Sequence, residues 1–342
     1  MKGCWNKGTT PPCKSPKSTT DRTTGRFQLT LIEGVVALAL AAVSAVAVAQ
    51  APFSFAVFGD TPYHGFEVAA VEHLLREMDG EDVAFVVHVG DLKASTEPCS
   101  DQVLRERRDL LDASLRPLVF APGDNDWTDC HRESSGGYDP RERLDRLRTL
   151  FFPGDESLGR RKLRLVRQSD DESFRAYREN ARWIAANVVF ATLNVPGSNN
   201  NFGRTAFMDT EHAERMRANL AWLAEAVALA QRPGMRGLVV LAHGEPRFGA
   251  GIGSADGFAA WRDALRLHAT ALVKPMLLIH GDGHRFRVDQ PLRDPRTRER
   301  LANFTRVEVF GSPTVGWVRI DVRPEGERLF AISPGGGAPP AQ

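Results

Sequence analysis

The stretch FSFAVFGD, residues 53–60, begins as an apolar run and stops at Gly59-Asp60. Four other apolar runs stop at a similar dipeptide. These dipeptides are Gly90-Asp91, Gly123-Asp124, His243-Gly244 and Gly281-Asp282. A short apolar run bounded by a turn signal is typical of a buried strand. Because ligands of open α/β sheets bind beyond the carboxyl ends of the strands, we expect these five positions to converge on one edge.

The side chains at these strand ends suit a metal site. Glycine lets the backbone approach an ion closely because it carries no Cβ. Aspartate supplies hard oxygen ligands and histidine supplies nitrogen. A single Gly-Asp pair is an ordinary turn, as we expect for Gly154-Asp155. The repetition of the pattern at several strand ends instead predicts a metal centre.

The ordered set of motifs resembles the calcineurin-like metallophosphoesterases. That family carries D-x-H, G-D-x-x-D/N, G-N-H-D/E, a lone His after a strand, and G-H-x-H. The corresponding segments here are, in order, Asp60-Thr61-Pro62, Gly90-Asp91, Gly123-Asp124-Asn125-Asp126, His243 and Gly281-Asp282-Gly283-His284. The resemblance covers roughly residues 53–322. It implies an α/β fold, a four-layer α/β/β/α sandwich of two mixed sheets.

The resemblance also implies two metal ions and a reaction. Carried over position by position, the ligands are Asp60, Asp91 and His284 for one ion, and Asp91, Asp124, His243 and Asp282 for the other. Asp91 would bridge the two ions. Such a pair activates water and stabilises both oxygens of an in-line displacement, so the implied activity is hydrolysis of small-molecule phosphomonoesters or phosphodiesters. The oxygen-rich ligand set favours Mn, Fe, Mg or Ca.

Two histidines of the family pattern are missing here. Pro62 stands at the His of D-x-H, and Tyr63 or His64 is the candidate replacement. The His that contacts the leaving group is also replaced. The catalytic candidates are therefore Asn125, Asp126 and His131. His131 would serve as proton donor, and a surface histidine without a role is the alternative. The two losses favour a rival hypothesis, a noncatalytic metal-binding or ligand-binding protein of the same fold.

Two further departures change the charge of the centre. Asp124 takes the place of a metal-binding Asn, and Asp282 takes the place of the first His of G-H-x-H. With Asp60 and Asp91, four aspartates then cancel the charge of two divalent cations. Attraction to developing charge is usually the largest catalytic term. Either one ion is therefore trivalent, or turnover is slow.

Substrate contacts are expected outside the ligand set. The candidates are Tyr63, Asn199, Asn200 and Arg247. Asn199 and Asn200 lie in a polar loop, and polar turns are the alternative explanation of such a cluster. Arg247 follows His243 closely, and a guanidinium group binds phosphate in bidentate geometry.

Composition and length fit one globular enzyme. The formal net charge is +1, from 44 basic and 43 acidic residues. This balance argues against a nucleic-acid binder, whose affinity rests on neutralising phosphates. We expect one large domain over residues 50–333 with a partly helical insertion at about 131–185, followed by a disordered tail at 334–342.

The N-terminal segment predicts the compartment. Residues 1–33 are polar and basic, and they precede an apolar run, Gly34 to Ala49, that ends in Ala47-Val48-Ala49. This pattern predicts a cleavable signal peptide over residues 1–49, with a long n-region, and export to the periplasm or the medium. The run is short for a transmembrane helix, so no stable span is expected after cleavage. The alternatives are a downstream start codon, a pilin-type leader, or an uncleaved membrane tether.

Cleavage would leave two cysteines. Cys4 and Cys13 fall in the removed segment, whereas Cys99 and Cys130 remain. An even pair in an oxidising compartment is expected to form a disulfide. Two buried free thiols are the alternative.

Overall fold

The computed structural model of the protein describes residues 51–249, 255–323, 326 and 328–336. The predicted signal peptide over residues 1–49 lies outside this range, as do residues 337–342 of the predicted tail. No helix within the described residues has both the length and the apolar character needed to cross a bilayer.

Strands and helices alternate along most of the described chain. The strands are β1 (Phe53–Phe58), β2 (Val86–His88), β3 (Leu118–Phe120), β4 (Val166–Arg167), β5 (Ala181–Ala185), β6 (Val188–Thr192), β7 (Gly237–Leu241), β8 (Met276–His280), β9 (Arg287–Asp289), β10 (Phe304–Glu308), β11 (Val318–Val322) and β12 (Phe330–Pro334). The helices are α1 (Gly65–Gly80), α2 (Asp101–Asp112), α3 (Pro140–Phe151), α4 (Ala206–Gln231) and α5 (Ala259–Ala271).

The strands form two mixed sheets. The first has the order β12-β11-β1-β2-β3, in which β1, β2 and β3 run parallel and β11 and β12 are antiparallel. The second has the order β4-β5-β6-β7-β8-β10-β9. Its central strands β6, β7, β8 and β10 run parallel, with antiparallel strands at both ends. The carboxyl ends of the parallel strands carry the Gly-Asp and His-Gly dipeptides.

Alternation along β1 shows how the layers stack. Phe55 and Val57 pack into an apolar core between the two sheets, whereas Ala56 and Phe58 pack into a second core with α1, α2 and α3. Strand β7 alternates in the same way between the central core and a third core with α4 and α5. Three apolar cores separate four layers, which confirms the predicted α/β/β/α sandwich.

The segment 131–185 contains more strand than the sequence pattern indicates. It contributes α3, as expected of a partly helical insertion, but also β4 and β5, which extend the second sheet. In β5, Ala181 and Trp183 pack into the central core while Arg182 and Ile184 lie on the other face. The apolar Ile184 on the outer face hides this alternation in the sequence.

Candidate metal centre

Five loops at the carboxyl ends of β1, β2, β3, β7 and β8 bring their polar side chains together. His243 is buried and lies at the middle of the group. Its Nε2 atom is 2.9 Å from Asp124 Oδ1, 3.4 Å from Asp91 Oδ1 and 3.9 Å from Asp282 Oδ1. Two trios of potential ligand atoms each lie within 4.8 Å of one another, namely those of Asp60, Asp91 and His243, and those of Asp124, His243 and Asp282.

The remaining candidate ligand approaches from the loop after β8. His284 Nε2 lies 3.4 Å from Asp60 Oδ1, and the backbone N–H of Asp282 donates to the same oxygen at 3.0 Å. All six candidate ligands therefore border one site. The resemblance assigned His243 to one ion, whereas its position between Asp91 and Asp124 lets it face both halves of the site.

The backbone is unusual at four of these residues. Asp60, Asp91, Asp282 and His284 have φ angles of 53°, 59°, 72° and 59°. Residues other than glycine rarely adopt this left-handed conformation, and where they do it tends to mark functional sites. Gly90 also has a positive φ, and a Cβ at this position would lie 2.7 Å from His243 Nδ1. The glycines of the motifs thus let the ligand loops approach one another.

Burial of several acids in one place shifts their protonation. Burial raises the pKa of Asp91 well above its usual range, and the nearby charges of Asp124 and Asp60 add to this shift. Burial likewise raises the pKa of Asp282 to about 6. Burial alone would lower the pKa of His243, but the facing carboxylates outweigh it and raise the pKa. The protein has gathered negative charge that a bound cation would neutralise.

The residues present fit a metal ion. Asp60 Oδ2 is buried and has no hydrogen-bond partner within the described part of the chain, which is costly for a carboxylate oxygen. A Cβ on Gly281 would overlap this same oxygen, so the glycine keeps the space beside it open. Carboxylate oxygens suit Mn, Mg and Ca, and imidazole nitrogens suit Fe, so this donor set fits the ions expected from the sequence.

Both imidazoles are oriented by backbone carbonyls. His243 Nδ1 lies 2.8 Å from the carbonyl oxygen of Val89, and His284 Nδ1 lies 2.9 Å from that of Ser312. A hydrogen on each Nδ1 satisfies these carbonyls and leaves each Nε2 lone pair facing the site. Hydrogen bonds of this kind are the usual way in which proteins fix a metal-binding tautomer.

Tyr63, one of the two candidate replacements for the missing D-x-H histidine, contacts the candidate ligands. Its Oη atom donates to Asp91 Oδ2 at 2.7 Å, accepts from Asn125 Nδ2 at 3.2 Å and lies 3.2 Å from His284 Nε2. His64 instead is exposed and stacks on Phe66. Of the two candidate replacements, the geometry favours Tyr63. Burial, with the charges of Asp91, raises the pKa of Tyr63, so its hydroxyl is a donor in this arrangement.

Two further candidates hold Asp91 in place. Asn125 donates to both oxygens of Asp91, from its backbone N–H at 2.9 Å and from Nδ2 at 2.6 Å. Asp126 is fully buried and accepts from the backbone N–H groups of Asp91, Leu92 and Gly123 at 3.0, 2.7 and 2.7 Å. These three bonds join the loops after β2 and β3. The geometry therefore supports a positioning role for Asp126.

His131 and Arg247 make no hydrogen bond to a candidate ligand within the described residues. His131 is exposed, with Nδ1 2.8 Å from the carbonyl oxygen of Thr128. Arg247 is exposed and its guanidinium lies 5.5 Å from the ring centroid of Phe258. These assignments stay predictions.

The side chains of Asn199 and Asn200 are largely used in hydrogen bonds to nearby backbone carbonyls. Asn200 is buried and donates to the carbonyl oxygen of Gly257 at 2.9 Å. Asn199 donates to the carbonyl oxygens of Phe202 and Ala255. These bonds favour the polar-turn alternative for this cluster, and substrate binding by Asn199 and Asn200 stays a prediction.

Two residues near the ligands were not singled out from the sequence. Ser198 Oγ lies 2.7 Å from Asp124 Oδ2. Glu67 is buried at the start of α1 and accepts from Tyr63 N and Ser312 Oγ, both at 2.6 Å. Neither has a motif signal, because a serine in a polar loop and a glutamate in a first helical turn are common at surfaces.

A disulfide joins Cys99 and Cys130, which are both buried. Their sulfur atoms lie 3.6 and 3.8 Å from the carbonyl oxygen of Asn125. The bond therefore ties the loop after β2 to the loop after β3 directly behind a residue that holds Asp91.

Thiol titration of the exported, denatured protein should find no free thiol unless a reductant is present. The closed loop spans a sequence separation of 31 residues, and the chain-entropy model assigns such a loop about 3 to 4 kcal/mol of stability. The Cys99→Ser/Cys130→Ser double variant should therefore unfold at lower urea concentration. Two titratable thiols in the native chain would contradict the disulfide.

Comparisons with known proteins agree with this fold. No family model matches the sequence, and no curated protein matches it. Among solved structures, a dimetal phosphatase from Danio rerio aligns with a TM-score of 0.50 at 14% identity, over 82% of this chain and 99% of that one. PhoD aligns with a TM-score of 0.49 at 12% identity, over 84% of this chain and 69% of that one. The purple acid phosphatase PPD1 from yellow lupin (Lupinus luteus) seeds aligns with a TM-score of 0.47 at 11% identity, over 80% and 49%.

Identities this low are informative about architecture rather than activity. The alignment with the Danio rerio dimetal phosphatase spans nearly all of that structure. Together with the two mixed sheets and their flanking helices, it shows that this chain has the metallophosphoesterase fold.

Proposed function

We propose that this protein is a metal-dependent hydrolase of phosphomonoesters or phosphodiesters. The observation that carries the proposal is the group of four aspartates and two histidines, buried or half-buried, beyond the carboxyl ends of parallel strands, with Asp60 Oδ2 unpaired among the described residues. The proposed ligands are Asp60, Asp91, Asp124, His243, Asp282 and His284. Bound ions would supply a water-derived nucleophile at neutral pH and would neutralise charge on the phosphoryl group.

The protein's own residues then position the ligands and supply a proton to the leaving group. Asn125 and Tyr63 hold Asp91 between the two halves of the site through hydrogen bonds to its carboxylate. Glu67 holds the backbone of the Tyr63 loop. His131 is the proposed proton donor to the leaving group. It lies six residues after Asn125, on the loop that the disulfide anchors.

Metal analysis together with an activity screen tests the proposal. The purified protein should contain about two equivalents of Mn, Fe, Mg or Ca per chain, by the two-ion logic of such sites. It should hydrolyse a chromogenic phosphomonoester or diester, and a chelator should remove both the metal and the activity. Bound metal without hydrolysis of either ester would favour the rival, a noncatalytic metal-binding protein. That rival is supported by Pro62 and Asn125 at the positions of two catalytic-site histidines.

We also propose that the protein is exported. The disulfide supports this, because such bonds persist in oxidising compartments. The signal peptide over residues 1–49 stays a prediction. N-terminal sequencing of the exported protein should begin near residue 50, whereas retention of residues 34–49 would support a membrane tether.

Replacing Asp124 by Asn should retain bound metal and maintain or raise turnover. The substitution removes one negative charge from the centre, which strengthens attraction to the phosphoryl group. The structure tolerates the amide, because Oδ1 can still face His243 while Nδ2 donates to Ser198 Oγ. Metal content and turnover should be measured on the same preparation.

The outcome of this change also distinguishes two kinds of centre. A site tuned for a trivalent ion needs the carboxylate and should lose metal and activity together in Asp124→Asn. That joint loss would contradict a weakly activating divalent site. Asp263→Asn is the matched control, since Asp263 has a side chain that is 73% exposed on α5.

A further inference from the structure

A cationic group lies beside the candidate metal centre without taking part in it. Arg132 and Arg204 both pair with Asp129, with nitrogen to oxygen distances of 2.7 and 2.6 Å. The Asp129 side chain is 2% exposed, whereas those of Arg132 and Arg204 are 42% and 22% exposed. One buried carboxylate thus serves two guanidinium groups. Two guanidinium groups and one carboxylate together carry a net charge of about +1.

A single hydroxyl connects this group to the candidate ligands. Ser198 Oγ lies 2.7 Å from Asp129 Oδ2, 2.7 Å from Asp124 Oδ2 and 3.4 Å from Arg132 Nη2. The guanidinium of Arg132 is therefore one side chain away from Asp124. A molecule held at the metal centre would have the cationic group next to it.

The loop that places Ser198 has a strained backbone conformation. Ser198 to Asn201 are four consecutive residues with φ between 48° and 64°. Left-handed residues other than glycine normally occur singly, because this conformation is strained for them. The buried Arg215 holds the turn by donating to Asn200 Oδ1 at 2.6 Å and to Asn200 O at 3.0 Å. The surroundings thus maintain a strained loop that contacts the candidate ligand Asp124 through Ser198 Oγ.

The cationic group can attract an anionic substrate that the acidic ligand set does not. The candidate ligands are mostly carboxylates, so the ligand set itself does not attract an anionic substrate. Arg132 uses Nη2 for Asp129 and Ser198, and its Nε and Nη1 atoms make no hydrogen bond within the described part of the chain. Free guanidinium donors with solvent access bind carboxylate and phosphate groups in bidentate geometry.

We propose that Arg132, supported by Arg204, binds a second anionic group of the substrate, next to the phosphoryl group that is hydrolysed. The substrate class is thus a phosphoester that carries a further carboxylate or phosphate. This inference rests on the proposed function, since it adds specificity to the same site. It assigns Arg132 a role in substrate selection and none in holding metal.

Calorimetric titration of the metal-containing protein tests this with non-hydrolysable probes. Methylphosphonate has a single anionic group. A series of ω-carboxyalkylphosphonates of increasing chain length adds a carboxylate at increasing distance, and alkylene bisphosphonates of the same lengths add a phosphate-like group instead. At least one probe with a second anion should bind about tenfold more tightly than methylphosphonate, which is the gain expected from one charge-assisted contact. The better series identifies the second group as carboxylate or phosphate.

Arg132→Gln should abolish this gain and leave methylphosphonate affinity and metal content unchanged. The matched control is Arg175→Gln, because Arg175 has a side chain that is 72% exposed and pairs with Glu172 away from the ligands. The inference is overturned if no second anion improves binding, or if the gain survives in Arg132→Gln. A gain that depends on Arg132 in a protein that hydrolyses no ester would refute the proposed hydrolysis but not the contact of Arg132 with a second anion, so the two failures are distinguishable.

Discussion

The Asp91→Asn variant should lose most of its bound metal and at least about a thousandfold of its turnover, a loss of roughly 4 kcal/mol in transition-state stabilisation. Asp91 lies between the two halves of the site, with Oδ1 3.4 Å from His243 Nε2. Its Oδ2 accepts from Tyr63 Oη at 2.7 Å and from Asn125 Nδ2 at 2.6 Å. An amide nitrogen at this position would face two donors. The substitution therefore removes a bridging charge and disturbs its supports together.

Metal content by mass spectrometry and hydrolysis of a chromogenic monoester should be measured side by side. Asp263→Asn makes the same chemical change at an exposed position on α5 and should leave both quantities unchanged. An Asp91→Asn protein with full metal content and normal turnover would refute the bridging role.

The strands that carry the ligands could be predicted from the sequence because each is a short apolar run that ends at a dipeptide of fixed type. The run before Gly59-Asp60 has the bounds of β1, Phe53–Phe58. Strands β4, β5 and β9 were not predicted. The first and last are only 2 and 3 residues long, and β5 carries the apolar Ile184 on its outer face, which breaks the alternation. Periodicity has little information over so few residues.

The positions of the ligands could be predicted from the sequence, whereas those of the residues that support them could not. A ligand follows a strand end, and the strand is visible in the sequence. Ser198 and Glu67 contact the ligand loops from segments distant along the chain. The Ser198 contact with Asp124 spans 74 residues, and that of Glu67 with Ser312 spans 245. Local sequence pattern cannot indicate such pairs, because it specifies an element rather than its neighbour in space.

Helix α1 gives a second example of a distant contact that the local sequence pattern does not indicate. Phe66, Val71 and Met78 recur at helical spacing, a pattern that predicts one buried stripe along this helix. Val71 and Met78 are fully buried, but Phe66 is 73% exposed, and Glu67 beside it is buried instead. The phase of the stripe is shifted at the first turn because Glu67 accepts hydrogen bonds from the Tyr63 loop and from Ser312. A functional contact has here overridden the hydrophobic pattern.

The Asp126→Ala variant should lose about 3 kcal/mol or more of its free energy of unfolding, in addition to its metal. Asp126 is fully buried, and its carboxylate is the acceptor for the backbone N–H groups of Asp91, Leu92 and Gly123. Each buried donor left without a partner costs about 1 to 3 kcal/mol. Urea unfolding followed by circular dichroism measures the loss. The exposed Asp145, with a side chain that is 77% exposed, provides the control Asp145→Ala, which should unfold like the native chain.

The same variant decides between the two roles considered for Asp126. A residue that acts only in catalysis can be removed with loss of turnover and little loss of stability, because active-site groups are rarely needed by the fold. A residue that joins the loops after β2 and β3 cannot. Asp126→Asn keeps one acceptor oxygen and should retain more stability than Asp126→Ala, in the order expected from the number of N–H groups still satisfied. An Asp126→Ala protein that unfolds at the native urea concentration but hydrolyses no ester would assign Asp126 to the chemistry and leave the joining of the two loops to the disulfide between Cys99 and Cys130.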